Sequence, residues 1–407
     1  MSSTDLLLAP DALPAGFRFA CVTAGLKASG KPDFALAIAD APASAAALYT
    51  ANRVQAAPLI VDRKHIARSG GKIRVVAVNS GNANCATGEA GIQAAEQVCA
   101  AASEAFACHD YEVFPSSTGI IGVPLPAEKL VAAMPAASTQ AAGTAEAFSA
   151  FARGILTTDT RPKVASASAE IDGQTVRIVG TCKGAGMIGP QLVPHATMLG
   201  YIFTDAAIEP AVLDSYLRAS VDTSFNCISI DGDMSTNDTV LILASGTSGV
   251  ALPAGHPAFR IALDAVCLSL ARQIVHDGEG VTHVVELQIK GAPSDADART
   301  IAKTIAHSPL VKTAWAGMDP NWGRLMAAIG YSGVAIEPER INIWFGRHEI
   351  CRNGGRSPLY DEAQAHAYLQ QREFTVRIDL GLGSGTCNFF TTDLTHEYVH
   401  INADYST

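Results

Sequence analysis

Hydrophobic and polar positions follow two different periods along this chain of 407 residues. Apolar runs rich in β-branched residues predict strands. These runs span 73–79, 175–180, 239–244, 282–288, 341–347 and 374–380. Apolar residues spaced three and four positions apart predict helices. These segments span 89–107, 127–134, 144–156, 210–221, 258–275 and 297–307. The helix at 258–275 has one continuous apolar face, so we expect it to lie on a sheet.

The connections between the predicted strands decide the fold class. Asp172-Gly173 separates two strand-like segments and is typical of a two-residue hairpin turn. Several other neighbouring strands can be joined by hairpins, which favours antiparallel and mixed sheets over a doubly wound parallel sheet. We therefore predict an α/β fold of the α+β type, in which helices cover layered sheets.

Composition narrows the class of protein. With 48% hydrophobic and 17% charged residues the chain can bury a large core. The net charge of −10, without a basic stripe, argues against nucleic-acid binding. Nine scattered cysteines without a CxxC pair indicate a reducing compartment. The first residues lack a signal-peptide pattern, and no run approaches the roughly 18 apolar residues of a membrane span, so we expect a cytoplasmic protein.

One threonine in mid-chain is a candidate nucleophile. Thr197 follows the small Ala196 and precedes an apolar run. A threonine hydroxyl needs an adjacent base, and a free α-amine with a pKa of about 7.7–8 supplies one. That amine exists only if the Ala196–Thr197 peptide bond is broken. The sequence therefore points to self-cleavage, in which the Thr197 hydroxyl attacks the preceding carbonyl.

Such a nucleophile needs hydrogen-bond donors for the oxyanion that forms on the attacked carbonyl. The segment 115–122, PSSTGIIG, predicts a tight turn that offers these donors at Thr118 and Gly119, although an ordinary Ser/Thr/Gly turn explains the same residues. Lys183 suits a substrate carboxylate or a developing charge, and a solvated lysine is the alternative. The residues alone therefore give a candidate nucleophile without a substrate.

Two further motifs suggest cofactor or calcium chemistry. Residues 184–189 match the dinucleotide fingerprint G-x-G-x-x-G, but Pro190 and Pro194 interrupt the helix that should follow. A tight glycine loop between two strands is therefore favoured. Residues 231–238 resemble a calcium loop that lacks its glycine and its glutamate, so we expect a hydrogen-bonded turn before the strand at 239–244.

A third motif, H-E-x-x-H at 396–400, is typical of zinc proteases when it lies on a helix. Tyr398, Val399 and Ile401 favour an extended chain, in which the two histidines would be about 13 Å apart. We therefore expect a solvated edge strand here.

Nine segments resemble a known family. They are VNSGNANCATGEAG (78–91), SSTGIIG (116–122), LTTDTRPK (156–163), KGAGMIGP (183–190), ATML (196–199), FNCISIDGDMSTNDT (225–239), HDGEG (276–280), AGMDPNWGR (316–324) and YVHINADYST (398–407). In this order they resemble the ornithine acetyltransferases, the bifunctional glutamate N-acetyltransferases of arginine biosynthesis, over essentially the whole chain. The resemblance implies a helix–sheet–sheet–helix core like that of N-terminal-nucleophile enzymes.

The resemblance also implies a reaction and an assembly. Cleavage before Thr197 would give an α chain of 1–196 and a β chain of 197–407, which pair further into an α2β2 heterotetramer. Thr197 would take acetyl from N2-acetylornithine and pass it to glutamate in a ping-pong cycle through an acetyl-threonine. No metal or organic cofactor is implied, and acetyl-CoA stays open as a second acetyl donor.

The implied site residues fall into two groups. Thr118 and Gly119 would form the oxyanion hole. Substrate contacts would come from Thr160, Lys183, Thr197, Glu279, Asn402 and Thr407. Lys183 suits an α-carboxylate and Glu279 suits an ammonium group.

The chain departs from the family pattern in two places. Residues 191–195 lengthen the interval before Ala196, and Cys227 stands where an arginine is common. Two alternatives therefore stay open. One is an N-terminal-nucleophile amidohydrolase, or a paralogue acting on a different small acylated amine. The other is an uncleaved relative with a binding or structural role.

Overall fold

The computed structural model describes residues 12–189 and 198–404, which form two mixed sheets with helices packed on both. The first sheet contains β1 (Phe17–Val22), β2 (Phe34–Tyr49), β3 (Lys72–Asn82), β4 (Val113–Ile120), β5 (Lys163–Ile171), β6 (Gln174–Lys183), β7 (Leu199–Thr204) and β8 (Thr239–Ala244). Its order is β4-β3-β2-β8-β7-β6-β5, and β1 pairs with the first part of β2. The pairs β3–β4 and β7–β8 are parallel, and the others are antiparallel.

The second sheet is formed by the C-terminal part of the chain. Its strands are β9 (Val284–Ala292), β10 (Asn342–Phe345), β11 (His348–Arg352), β12 (Gly355–Arg356), β13 (Glu373–Asp379) and β14 (Gly385–Thr392). Their order is β12-β11-β10-β13-β9-β14, with β9 and β13 parallel. Both sheets thus mix strand directions, and the predicted α/β fold class is confirmed.

Eleven α-helices lie within the described ranges. They are α1 (Ala57–Ser69), α2 (Gly88–Phe106), α3 (Ala127–Gln140), α4 (Ala145–Gly154), α5 (Pro210–Asp222), α6 (Pro257–His276), α7 (Asp295–Ala306), α8 (Pro309–Ala316), α9 (Trp322–Gly330), α10 (Glu362–Leu369) and α11 (His396–Asp404). None of these helices combines the length and apolar character needed to span a bilayer.

The helix predicted at 258–275 is α6, and it packs on β5 and β6 as expected. Phe259, Leu263 and Leu270 on its apolar face are fully buried. The predicted hairpin is also confirmed, because β5 and β6 pair from Ile171 and Gln174 outward. The two turn residues between them both have positive φ, 52° and 76°, as a type I′ turn requires.

The edge strand predicted at 396–400 is wrong, because this segment is helix α11. Thr395 precedes the helix, and its hydroxyl oxygen accepts a hydrogen bond from the Tyr398 N–H at 3.2 Å. The same hydroxyl donates to the Gly280 carbonyl at 2.7 Å. A cap and a tertiary anchor together outweigh the local preference for extended chain. Among the described residues no group of three or more His, Cys, Asp or Glu side chains is arranged to hold a metal ion.

Candidate active site

A cavity of about 310 Å³ opens where the first sheet meets helix α11. Lys183 at the end of β6 pairs with Leu199 at the start of β7, and Leu199 pairs with Thr239 at the start of β8. One end of β6 and the beginnings of β7 and β8 therefore share an edge of the sheet. Tyr398 and Asn402 on α11 line the same cavity.

Thr118 and Gly119 lie in the cavity wall near the end of β4. The tight turn predicted at 115–122 is wrong as far as Ile120, because β4 continues to that residue and pairs in parallel with β3. The pairing becomes irregular at Gly81 and Asn82, directly beside Gly119. A Cβ at Gly119 would lie 2.3 Å from the Gly81 carbonyl carbon, and its φ is +137°. Only glycine allows this close approach of the two backbones.

A buried amide joins the end of β4 to the loop before β8. The Asn237 Nδ2 atom donates to the carbonyl of Ser117 at 2.8 Å and to that of Ala83 at 2.6 Å. The Oδ1 atom of Asn237 accepts from the Thr236 hydroxyl at 2.7 Å. The peptide immediately before Thr118 is therefore fixed by a side chain distant in sequence.

Side chains of opposite charge line the cavity. The Lys183 Nζ atom donates to the Thr118 hydroxyl at 3.3 Å. Glu279 accepts a hydrogen bond from the Asn402 side-chain amide at 3.0 Å. A Cβ on Gly186 would lie 2.3 Å from a Glu279 carboxylate oxygen, so the glycine loop packs directly on this side chain. A ligand that carries both a carboxylate and an ammonium group would find a partner for each.

A buried ion-pair network lies behind Lys183. The Lys163 Nζ atom is 2.6 Å from a carboxylate oxygen of Asp159 and 2.6 Å from one of Asp277. Asp159 also accepts the Gly184 N–H at 2.6 Å. Burial opposes ionisation of Asp159, but the charges of Lys163 and Lys183 and the Gly184 N–H outweigh it and lower the pKa of that carboxyl to about 2. The network therefore holds the start of the glycine loop.

Thr160, predicted to contact substrate, is placed beside the cavity and not among the described residues that line it. Its N–H donates to Asp277 at 3.1 Å, and its hydroxyl donates to the same carboxylate. Thr157 and Thr158 of the same loop do line the cavity. Thr160 is thus tied to the ion-pair network that supports the site.

The loop predicted as a turn at 231–238 forms another wall. Asp231 accepts the N–H groups of Met187 and Ile188 at 2.7 and 2.8 Å. These are backbone donors of the glycine loop, and a side-chain carboxylate already occupies them. These hydrogen bonds therefore join the glycine loop to the 231–238 loop. Burial and the neighbouring Asp231 also both raise the pKa of the Tyr398 hydroxyl on α11.

The structure brings most of the predicted site residues together. Those that line the cavity are Thr118, Gly119, Lys183, Glu279 and Asn402. Ala196, Thr197, Thr407 and the extra segment 191–195 lie outside the described residues. Met198, the residue after Thr197, lines the cavity, and its carbonyl accepts the Thr239 N–H at 2.8 Å.

The structure also adds candidates that the sequence reasoning did not single out. Asn237 and Tyr398 both line the cavity. Each lies in a segment that carried the family resemblance, but neither spacing nor residue type marked it as functional. Cys227, which departs from the family pattern, is buried and does not line the cavity. Its thiol donates a weak hydrogen bond to the Asp222 carbonyl at 3.4 Å.

Comparisons with known proteins identify the family of this chain. Residues 18–407 match the model of the ArgJ family. The arginine biosynthesis bifunctional protein ArgJ of Geobacter sulfurreducens is 45% identical over 96% of this chain and 99% of its own. The protein of the same name from Rhizobium meliloti is 44% identical over 96% and 95%. The crystal structure of ArgJ from Bacillus halodurans is 41% identical, covers 51% of this chain and 100% of its own, and gives a TM-score of 0.49.

The chain therefore belongs to the ArgJ family. This confirms the family resemblance seen in the sequence. It also confirms the prediction, made from that resemblance, of an acyltransferase enzyme of arginine biosynthesis.

Proposed function

We propose that this enzyme transfers acetyl from N2-acetylornithine to glutamate, with Thr197 as the nucleophile. One observation carries the proposal. Met198, which follows Thr197 directly, lines the same cavity as Thr118, Gly119 and Lys183. Thr197 is bonded covalently to Met198, so the proposed nucleophile is next in sequence to a residue of the cavity wall that also carries these hydroxyl, backbone and ammonium groups.

The nucleophile is made by self-cleavage. The Thr197 hydroxyl attacks the Ala196 carbonyl, the acyl group moves from nitrogen to oxygen, and water releases it. The products are an α chain of 1–196 and a β chain of 197–407. The new α-amine then serves as the base that accepts the hydroxyl proton.

Acetyl transfer follows in two halves. The Thr197 oxygen attacks the acetyl carbonyl of N2-acetylornithine, and Thr118 and Gly119 donate to the oxyanion. When this intermediate collapses, the carbon–nitrogen bond breaks, the amine takes up a proton, and ornithine leaves. The amine of glutamate then attacks the acetyl ester, which forms N-acetylglutamate and frees the hydroxyl.

The other site residues bind the substrates. Lys183 pairs with the α-carboxylate and Glu279 with an ammonium group, while Asn402 orients Glu279 through their hydrogen bond. Thr160 and Thr407 complete the proposed substrate contacts. The reaction needs no metal or organic cofactor, and acetyl-CoA could replace N2-acetylornithine as donor without a change in the nucleophile.

The two chains stay together and pair into an α2β2 heterotetramer in the cytoplasm. The nine cysteines are all free thiols, as is typical of a reducing compartment. Both substrates are small molecules, and the proposal involves neither nucleic acid nor a membrane.

A mass measurement and an assay test the proposal. The denatured wild type should give two fragments, one of which begins at Thr197, and should transfer acetyl from N2-acetylornithine to glutamate. Thr197→Ala should remain one chain and lose at least about 10³-fold in transfer, because no other hydroxyl replaces the nucleophile. Thr197→Ser is the matched control and should retain both cleavage and part of the activity.

Two outcomes would contradict the proposal. A wild-type chain that stays intact and transfers no acetyl group would mean that the protein shares only its fold with an active enzyme. A cleaved chain whose acetyl group passes to water even with excess glutamate would instead indicate an amidohydrolase.

A further inference from the structure

The Asn237 side chain forms hydrogen bonds to segments that are far away in sequence. Its side chain is only 5% exposed, and its amide nitrogen donates to two carbonyls, those of Ala83 and Ser117. Both hydrogens of the amide are therefore used, and its oxygen accepts from Thr236. A buried amide with all of these bonds made is held in one orientation.

The bond to Ser117 controls the direction of a nearby donor. Peptide units are planar, and in an extended strand the carbonyl of one residue and the N–H two residues later point to the same edge. Thr118 lies within β4 in strand conformation, so the Ser117 carbonyl and the Gly119 N–H are directed to the same side. An anchor on the Ser117 carbonyl thus fixes the orientation of the Gly119 N–H.

This anchor comes from the opposite side of the proposed cut. Asn237 belongs to the segment 197–407, whereas Ala83 and Ser117 belong to 1–196. Asn237 therefore links β4 of one proposed chain to the chain that would begin at Thr197.

We infer that Asn237 is a positioning residue for the oxyanion hole, an inference that rests on the proposed function. Its amide holds the Ser117 carbonyl so that Gly119 and Thr118 stay directed at the developing oxyanion. Asn237 acts through these groups and supplies no bond to the reacting atoms.

Asn237→Asp is the test, because it keeps the size of the side chain and replaces the donor by an oxygen. That oxygen would face two carbonyl oxygens, and β4 would shift away from it. We expect kcat for acetyl transfer to fall about tenfold to hundredfold, since small misplacements of a catalytic group have effects of this size. The KM for N2-acetylornithine should stay within about twofold, because Lys183 and Glu279 keep their places.

Two further variants make the result specific. Asn52→Asp is the matched control: Asn52 Nδ2 donates to the carbonyl of Met234 in the same loop at 3.0 Å, but not to β4. Its kcat should stay within about twofold of wild type. Thr236→Val removes only the hydroxyl that holds Asn237 Oδ1, and should lower kcat in the same direction by a smaller factor. It covers the case in which Asn237→Asp does not fold.

A purely structural role predicts a lower melting temperature for Asn237→Asp with an unchanged kcat per cleaved active site, and that result would overturn the inference. Hydrogen exchange gives a readout that needs no activity. Amide exchange in the peptide 113–120 should rise in Asn237→Asp and not in Asn52→Asp. If the wild type transfers no acetyl group, the proposed function fails, and the exchange result still decides whether Asn237 orders this strand.

Discussion

At the scale of single residues, Gly119 is the position with the least freedom in the site. Its φ of +137° disfavours any side chain, and a Cβ would lie 2.3 Å from the Gly81 carbonyl carbon and 2.5 Å from the Asn82 nitrogen. These neighbours are backbone atoms, so no side chain can turn aside to make room. A substitution must therefore move β3 or β4, and β4 borders the cavity at Thr118 and Gly119.

Gly119→Ala should lower the free energy of unfolding by about 3 kcal/mol or more and abolish most acetyl transfer. Gly122→Ala is the matched control in the same segment. Gly122 also has a positive φ, +82°, but no described atom lies within 4 Å of the position that its Cβ would take. It should cost only about 1–2 kcal/mol, the strain of a left-handed conformation. Equal losses in denaturant unfolding and in kcat for both variants would contradict the argument from close approach.

At the scale of elements, the sequence predicted the strands and helices whose pattern is strong. The strand predicted at 239–244 is β8, and helix α6 lies within one residue of its prediction at each end. β2 was missed because half of its residues are alanine and few carry the β-branched side chains that mark a strand. Its 16 residues form a strand because they pair with three neighbours, β1, β3 and β8.

The site was predictable only in part, for a related reason. The resemblance placed Thr118, Lys183 and Glu279 in one site, and the structure brings them to one cavity. The role of Asn237 could not be read from the sequence, because its two acceptors are 154 and 120 residues away. Contacts over such distances depend on the strand order of the sheet, which local patterns do not encode.

The ion-pair network joins the start of β5, the end of α6 and the loop that follows β6, and its loss should destabilise all three. Lys163→Met would leave Asp159 and Asp277 buried without their shared cation. We expect the free energy of unfolding at neutral pH to fall by about 3–5 kcal/mol. Arg218→Met is the control, because Arg218 forms an exposed pair with Asp214 at 2.6 Å and should cost at most about 1 kcal/mol.

The pH dependence of this loss provides a second check. The folded pKa of Asp159, about 2, is below the unfolded value near 3.9, so its contribution is present above that unfolded value and is lost as the pH falls through 2. The difference between wild type and Lys163→Met should therefore shrink on acidification. A difference that is constant from pH 7 to pH 3, measured by denaturant unfolding, would show that lost packing and not charge is responsible.

At the scale of the whole molecule, the proposed cut divides a sheet and not a pair of domains. The segment 1–196 provides β1 to β6, and 197–407 provides β7 and β8 to the same sheet. β8 pairs with β2 on one side and β7 on the other, while β7 also pairs with β6. Each chain alone would expose strand edges and an apolar surface that the other covers.

The cleaved protein should therefore behave as one folding unit. Native mass spectrometry should detect both chains together, whereas denaturing conditions should separate them. Calorimetry should give one unfolding transition, because neither chain can keep the first sheet without the other. The segment 1–196 expressed alone should aggregate or remain unfolded, since β2 and β6 lose their partners β8 and β7. Two separate transitions, or a folded and soluble 1–196 segment, would show that each chain folds independently and that the shared sheet does not hold the enzyme together.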